Sequence, residues 1–483
     1  MDILSLRSIL KFNAYIGLAI SIFFLIPIGA GLIYSENIKD FFLFDLLLFA
    51  GNFAVIAFFF KHNIKLGIKE SIISVNLVWI LCSLWGAIPL LLYTDIGFWD
   101  AFFEAVSGFT TTGATIYTDI DSLPKWVLLL RSLMHWLGGM GIIVLGVGLF
   151  SLINPTGSLT LFKAESTGIK LEKLTPKIKD TAIRLWGIYL FLTLIDTLLL
   201  KIGGMNLFDA VNHAFSTIST GGFSTKTESL GHWQSPFILW VTTVFMIISG
   251  INFLAHLKLF YKDFRAYNSE EVKWYLKIFL LLSILLTTVH FFSSGDTFFD
   301  SITHSFFTIA SILTTTGFAS LDYEQWGAMA TALVFAAMLI GGNAGSTAGG
   351  AKVIRYVVLF KNLSVQIKRI LHPSAVIGIF VDGQRIKNDV LGSTAGFLLL
   401  FAATNTLIAL YLFARGYDTL TSVSTAIAIV GNIGPGFSLT GPAQNYALFS
   451  WADKALLSFG MIAGRLEFYT VIMLFSREFW KRF

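Results

Sequence analysis

Long apolar runs separated by short polar breaks dominate the chain. They cover 10–34, 41–60, 72–93, 124–150, 181–201, 233–260, 272–292, 326–342, 391–414 and 449–479. A helix needs roughly 17 residues or more to cross a bilayer core, so the pattern predicts ten spans. From the third run onward, a shorter and mildly apolar segment lies inside each pair: 98–109, 206–218, 297–313 and 417–430. These segments are too short to cross and fit helices that enter the membrane and turn back. All four end in a small loop built around glycine. The loops are Thr110-Thr111-Thr112-Gly113-Ala114, Ser219-Thr220-Gly221-Gly222-Phe223, Thr314-Thr315-Thr316-Gly317-Phe318 and Gly431-Asn432-Ile433-Gly434-Pro435. One such loop is an ordinary turn. Four in the same context predict a helix–re-entrant helix–helix unit repeated within one polypeptide. The expected organisation is a two-helix domain over 1–70, then repeats over 71–180, 181–271, 272–390 and 391–483.

Composition agrees with this class. The 483 residues are 55% hydrophobic and 13% charged, with a mean hydropathy of +0.74, whereas soluble domains carry about 25% charged residues. The chain is therefore read as an all-α polytopic membrane protein. Its net charge of +5 is spread over short loops, which points to membrane flanks and not to nucleic acid. Alternate loops hold most of the cations: Arg7 and Lys11, then Lys61, Lys65 and Lys69, the run 163–179, Lys258 to Lys277, and the stretch 352–387. The opposite loops hold few, among them Lys39, Lys125, Arg131 and Lys226. This asymmetry places both termini in the cytoplasm and the four glycine loops in the outer half of the membrane. The first run lacks a small-residue cleavage site and is expected to stay as a helix. Cys82 is the single cysteine, which excludes an intrachain disulfide and a cysteine-rich metal site; an inert core thiol is its plain reading.

Each re-entrant segment opens on an acid beside an aromatic or a glycine-tyrosine pair: Asp100, Asp209, Asp300 and Asp418. Helix capping and the helix dipole account for these better than ion binding does. The acid precedes the loop glycine by 13 residues in the first two repeats, by 17 in the third and by 16 in the fourth. That spacing predicts about one extra turn in the last two helices. The far ends of these helices carry the chemistry. Four C-terminal ends facing one axis stabilise a cation. Irregular backbone at membrane depth must be buried in protein or line a watery path. The loops offer carbonyls and the hydroxyls of Thr110–Thr112, Thr220 and Thr314–Thr316, neutral oxygens of the kind onto which monovalent cations shed water. Glycine permits the backbone angles that such a loop requires.

Two further features stand out. The run after 326 breaks at Gly341-Gly342-Asn343-Ala344-Gly345-Ser346-Thr347-Ala348-Gly349-Gly350-Ala351, a composition that makes a poor helix. Gly345 and Gly350 have phosphate-loop spacing, but Ala351-Lys352-Val353 does not complete that motif and no parallel sheet surrounds it. A broken helix lining a cavity or close packing through small residues remain as readings. Arg465 lies near the middle of the last run, where a charge costs about 2.5–3.5 kcal/mol on insertion scales and marks a functional site by default. Glu467 is two residues away and does not share its helix face, so a simple local pair is disfavoured. Asp196 is a weaker intramembrane candidate, with Arg184 or another helix as its partner. Glu104, His213 and His304 lie on re-entrant segments, supporting the loops or facing water, and His135 reads as helix packing. No nucleophile–base or metal-ligand spacing occurs, so nothing argues for catalysis.

The loops, the Gly-Asn-Ile-Gly-Pro-Gly run 431–436, the break at 341–351 and Arg465 together resemble the Trk/Ktr/HKT superfamily of potassium transporters, and the extra helix pair resembles its TrkH branch. The resemblance covers nearly the whole chain. It implies four helix–pore-helix–helix repeats around a pseudo-fourfold pore, with a potassium selectivity filter at Thr111, Thr112, Gly113, Thr220, Gly221, Gly222, Thr315, Thr316, Gly317, Asn432, Ile433 and Gly434. Glycine at 113, where some sodium-preferring relatives have serine, implies potassium permeation. It also implies a gate made of the intramembrane loop Gly341, Gly342, Asn343, Ala344, Gly345, Ser346, Thr347, Ala348, Gly349 and Gly350, opposed by Arg465 beneath the filter. A homodimer in the bacterial inner membrane is implied, with a cytosolic TrkA-type regulatory subunit that binds a nucleotide (ATP/ADP or NAD). The chain itself has no Rossmann fingerprint, and no cofactor is expected in it beyond the transported K+. The competing function is an ion-coupled secondary transporter of another solute, which also uses broken helices but shows two related halves where this chain shows four loops.

Overall fold

The computed structural model describes residues 3–64, 66–148, 178–375 and 377–481. The basic run around Lys163, Lys170 and Lys173 lies outside them. The N-terminal pair is α1 (Ile3–Ile33) and α2 (Lys39–Phe58). The first repeat is α3 (Ile68–Tyr93), α4 (Phe98–Phe109) and α5 (Lys125–Gly148). The second is α6 (Ile178–Ile202), α7 (Leu207–Ile218), α8 (Pro236–Ser249) and α9 (Phe253–Phe260). The third is α10 (Glu270–Ser294), α11 (Phe298–Leu313), α12 (Ala328–Met338) and α13 (Val353–Leu371). A short antiparallel hairpin, β1 (Phe380–Val381) and β2 (Gln384–Arg385), leads into the fourth. That repeat is α14 (Asn388–Ala414), α15 (Thr419–Val430) and α16 (Trp451–Arg465), followed by the short α17 (Tyr469–Met473) and α18 (Arg477–Trp480).

The repeats close on each other by one rule. Within a repeat the re-entrant helix packs on the preceding long helix: α4 on α3, α7 on α6, α11 on α10 and α15 on α14. Across repeats, the second helix packs on the next re-entrant helix: α5 on α7, α8 on α11, α12 on α15, and α16 back on α4. The last contact closes the ring, and a Lys454–Asp100 ion pair ties it. The N-terminal pair sits over the first repeat. Glu36 after α1 accepts bonds from the amides of Lys125 and Trp126 at 2.7 and 3.0 Å and so caps α5.

Three predicted spans are not continuous helices. The run 233–260 bends by 95° between α8 and α9. Tyr275 crowds Gly250 at the bend, and the Asn252 side chain starts the new helix by accepting from Leu254 at 2.8 Å. The run 326–342 carries only the 11-residue α12. The run 449–479 stops at Arg465, because Glu467 takes a left-handed φ of 56° and the Phe468 amide returns to the Ala463 carbonyl at 3.0 Å. Among the described residues, six single helices are long and apolar enough to cross a membrane.

The acids stand at the starts of their helices as expected, with one correction. Asp100, Asp209 and Asp300 sit in the first turns of α4, α7 and α11. Asp418 is instead the N-cap residue of α15. The longer spacing in the fourth repeat therefore adds no turn: α15 has 12 residues like α4 and α7, and only α11, with 16, is longer. Asp418 accepts a bond from Thr421 N at 3.0 Å. Asp418→Ala is expected to cost about 1 kcal/mol of stability, and Asp418→Asn to retain most of it; the thermal midpoints of the detergent-solubilised proteins check this.

Candidate functional site

All four re-entrant helices end in the same turn. The amides of Thr112, Gly221, Thr316 and Ile433 return five residues, to Ser107, Ser216, Ser311 and Ala428 carbonyls, at 2.7–2.9 Å. This requires the preceding residue to be left-handed: φ is 54° at Thr111, 53° at Thr220, 57° at Thr315 and 54° at Asn432. Glycine is usual there. A β-branched threonine in this region costs on the order of 1–3 kcal/mol and persists only where the surroundings hold it. Two residues on, Gly113, Gly222, Gly317 and Gly434 have φ of 80°, 91°, 83° and 96°.

These glycines form a closed ring. A Cβ on Gly113 would strike the Gly221 carbonyl oxygen; on Gly222, that of Thr316; on Gly317, that of Ile433; and on Gly434, that of Thr112. Each loop thus seats its glycine against the central carbonyl of the next, in chain order. No side chain fits in any of the four seams. The expected role of threonine hydroxyls as free oxygens changes here. Thr110 and Thr314 bond back to Val106 and Ala310 carbonyls and to the hydroxyls of Thr112 and Thr316, each at 2.7 Å. The Thr220 hydroxyl reaches its neighbour Ser219 O at 2.6 Å. The Thr111 hydroxyl is buried without a hydrogen-bond partner among the described residues.

The broken segment after α12 lies directly against the ends of these helices. The Gly349 amide donates to the Thr315 hydroxyl at 2.6 Å, and the Gly350 amide to Gly431 O at 2.9 Å. The Thr347 hydroxyl reaches Ile218 O and Ser249 O at 3.0 and 3.2 Å. It therefore contacts the ends of α7, α11 and α15. Gly341, Gly345 and Gly350 have positive φ, and a side chain at 349 would strike Gly431 O. At its start, Gly342 O accepts from Val353 N at 3.1 Å, and Asn343 N donates to Gly250 O at 2.9 Å. The Ser346 hydroxyl bonds to Asn343 O at 2.5 Å, the Ala344 amide to Glu271 at 2.8 Å, and Ala348 packs on Gly342.

Arg465 meets this segment: its Nη1 donates to Thr347 O at 2.9 Å. Its Nε and Nη2, both Asn343 side-chain polar atoms and His135 Nε2 are buried without hydrogen-bond partners among the described residues. His135 is more than packing, since Nδ1 bonds to Gly108 O at 2.7 Å on the first re-entrant helix. Glu467 pairs with Arg355 at 2.7 Å, and that guanidinium lies 3.5 Å from the Phe397 ring centre. The stretch 352–387 is accordingly not a wholly solvated flank: Lys352 and Arg355 are buried, and the Lys352 amine bonds to Ala348 O. Asp196 does not pair with Arg184, which lies over Tyr261 at 5.5 Å; both its carboxylate oxygens are buried without hydrogen-bond partners among the described residues. His213 and His304 reach the hydroxyls of Ser224 and Ser320, each at 2.9 Å, and so brace the loops. Arg131, counted with the outer cations, is inside α5 and buried against Glu104. Glu271 and Arg131 were not singled out, because acids and bases near helix starts look like capping and flank charge.

The fold defines a polytopic helical membrane protein in which four re-entrant units of one chain surround a common axis. The family model described as a cation transport protein, TrkH, matches residues 39–482. The chain belongs to this TrkH family. It is 36% identical over 419 residues to the Trk system potassium uptake protein TrkH of Salmonella typhimurium, covering 86% of each chain. It is 34% identical over 486 residues to the Trk system potassium uptake protein TrkH of Halomonas elongata, covering 99% of this chain and all of that one. The crystal structure of the potassium transporter TrkH from Vibrio parahaemolyticus superposes with a TM-score of 0.88 at 32% identity, over 99% of this chain and 100% of that one.

The ring makes a direct stability prediction. Gly222→Ala places a methyl against Thr316 O at a φ of 91°, so a loss well above ~1 kcal/mol is expected. Thermal unfolding in detergent checks it.

Proposed function

We propose that the chain carries potassium into the cell, with the ring of four glycine loops as its selectivity filter. The closed ring in which each glycine seats on the next loop's carbonyl is the observation that carries this function. Four helix C-termini and a set of neutral carbonyls suit a monovalent cation that sheds its water. The potassium uptake named for its relatives supports the choice of ion. The filter comprises Thr111–Gly113, Thr220–Gly222, Thr315–Gly317 and Asn432–Gly434. The segment Gly341–Gly350 is the gate, drawn across the ends of three re-entrant helices. Opening it requires release of the Gly349–Thr315, Gly350–Gly431 and Arg465–Thr347 bonds.

The protein works as a homodimer in the bacterial inner membrane with both termini cytoplasmic. A cytosolic TrkA-type subunit, responding to ATP/ADP or NAD, acts on the gate; the Trk system naming of the relatives supports a multi-subunit assembly. Lys352 and Arg355 connect the gate to α13 and offer that subunit a mechanical route. Transport, and not catalysis, is the chain's activity. A coupled carrier of another solute is disfavoured by the fourfold closure, since such carriers divide into two related halves.

Uptake of potassium, and of rubidium against sodium, in cells lacking their own potassium uptake tests this function. Growth at low potassium is expected to be restored; failure with the protein present in the membrane overturns it. Arg465→Ala is expected to raise leak or flux, and an unchanged uptake rate at normal abundance would remove Arg465 from the gate.

A further inference from the structure

Outside the ring, one buried polar chain joins three of its four loops. Glu104 on α4 and Arg131 on α5 form an ion pair of 2.8 Å with both side chains almost wholly buried. The carboxylate also accepts from the Thr115 hydroxyl at 3.0 Å and the Ile116 amide at 2.9 Å, both just beyond Gly113. The guanidinium uses its remaining arms on the Thr115 hydroxyl at 3.1 Å and on Ser224 O at 3.2 Å, two residues past Gly222. Its central carbon lies 4.1 Å from the centre of the Phe223 ring. Thr115 O accepts from the Tyr446 amide at 2.8 Å, and the Tyr446 hydroxyl donates to Gly434 O at 2.7 Å. The belt therefore runs from the second loop, behind the first, to a filter glycine of the fourth.

The third loop is held differently. Ala319 O accepts from Leu230 and Gly231 amides at 3.0 and 3.2 Å, and Tyr323 donates to Gly436 O at 3.2 Å. These bonds lie beyond the filter glycines. Among the described residues, only Tyr446 donates a side-chain bond to a filter-glycine carbonyl.

We infer that the Glu104–Arg131–Thr115–Tyr446 belt sets the width of the filter at Gly434 and is a determinant of potassium-over-sodium discrimination, acting as a group of positioning residues. This rests on the potassium-filter function proposed above. A carbonyl already held by a phenol hydroxyl cannot swing inward to follow a smaller ion. A buried ion pair with its other valences satisfied resists rearrangement, because moving either partner strands a charge. A planar guanidinium fits this role where an ammonium does not, since it must serve Glu104, Thr115 and Ser224 at once.

The test measures potassium and sodium uptake at matched concentrations in cells lacking their own potassium uptake. Wild-type potassium uptake establishes the transport function separately. With that in place, Tyr446→Phe and Arg131→Lys are each expected to lower the potassium-to-sodium ratio by roughly five- to tenfold, the scale of one lost hydrogen bond. Tyr469→Phe, which loses a hydroxyl bonded to Ser393 O away from the loops, is expected to leave it unchanged. If Tyr446→Phe fails to reach the membrane, Thr115→Val gives the second reading. An unchanged ratio in whichever variant is present overturns the belt, and so does absence of both from the membrane, which would make it a folding staple.

Discussion

A helix that ends inside a membrane leaves its last carbonyls without partners, and hydrocarbon supplies no water to meet them. This chain ends four helices that way around one axis, and its other unusual features follow from how those carbonyls are met. The five-residue return at each end satisfies one carbonyl and sets the left-handed turn that starts the ring. Others at the ends of α7 and α15 receive donors from the segment after α12, through the Thr347 hydroxyl and the Gly350 amide. That segment is glycine-rich because its backbone must approach closely: at Gly349 even a methyl group would strike the chain it meets. The broken segment and the helix ends are complementary surfaces, donors on one side and acceptors on the other.

Two of the buried arginines, Arg465 and Arg131, are satisfied to very different degrees. An arginine at this depth costs about 2.5–3.5 kcal/mol. One hydrogen bond from a charged donor returns about 1.5–3 kcal/mol. Arg465 has one such bond, to Thr347 O, and two nitrogen groups left over. The two terms are of similar size, and the bond to Thr347 O offsets most of the cost of the buried charge. A fully satisfied arginine, such as Arg131 with its three bonded partners, belongs to a rigid part of the structure. Arg131 and Arg465 thus stand in different settings, one bonded to several partners around the loops and one making a single bond to the broken segment.

Much of the architecture was legible because it rests on local chemistry. The re-entrant helices were marked by length, the loops by glycine, and the Gly341–Gly350 break by composition. The breaks at Gly250 and after Arg465 were not legible, since apolar residues continue through both and hydropathy does not register backbone direction. Asp418 looked equivalent to Asp100, yet it caps its helix from outside while Asp100 lies within the first turn. Spacing alone counts residues and does not separate a cap from a first turn. Arg131 was read as a flank cation because its partner, Glu104, is 27 residues away, and pairing at that distance depends on how α5 leans on α4.

The unequal loop sequences follow from which atoms the ring uses. The first loop position must be left-handed, and Thr111, Thr220, Thr315 and Asn432 all comply through their surroundings. The third must be glycine, because any Cβ strikes the neighbouring loop. The position between contributes backbone atoms to the ring, its carbonyl and its amide, and its side chain differs from loop to loop: Thr112, Gly221, Thr316 and Ile433. Its side chain answers to what lies behind it. At 221 the His135 ring occupies the space a Cβ would need, so glycine is required. At 433 the neighbouring core is apolar and takes a wholly buried isoleucine. Departures from the Thr-Thr-Thr-Gly pattern in the second and fourth loops therefore belong to the packing behind the ring. The asymmetry at the glycine carbonyls themselves comes instead from Tyr446, whose hydroxyl bonds to Gly434 O and, among the described residues, has no counterpart at Gly113, Gly222 or Gly317.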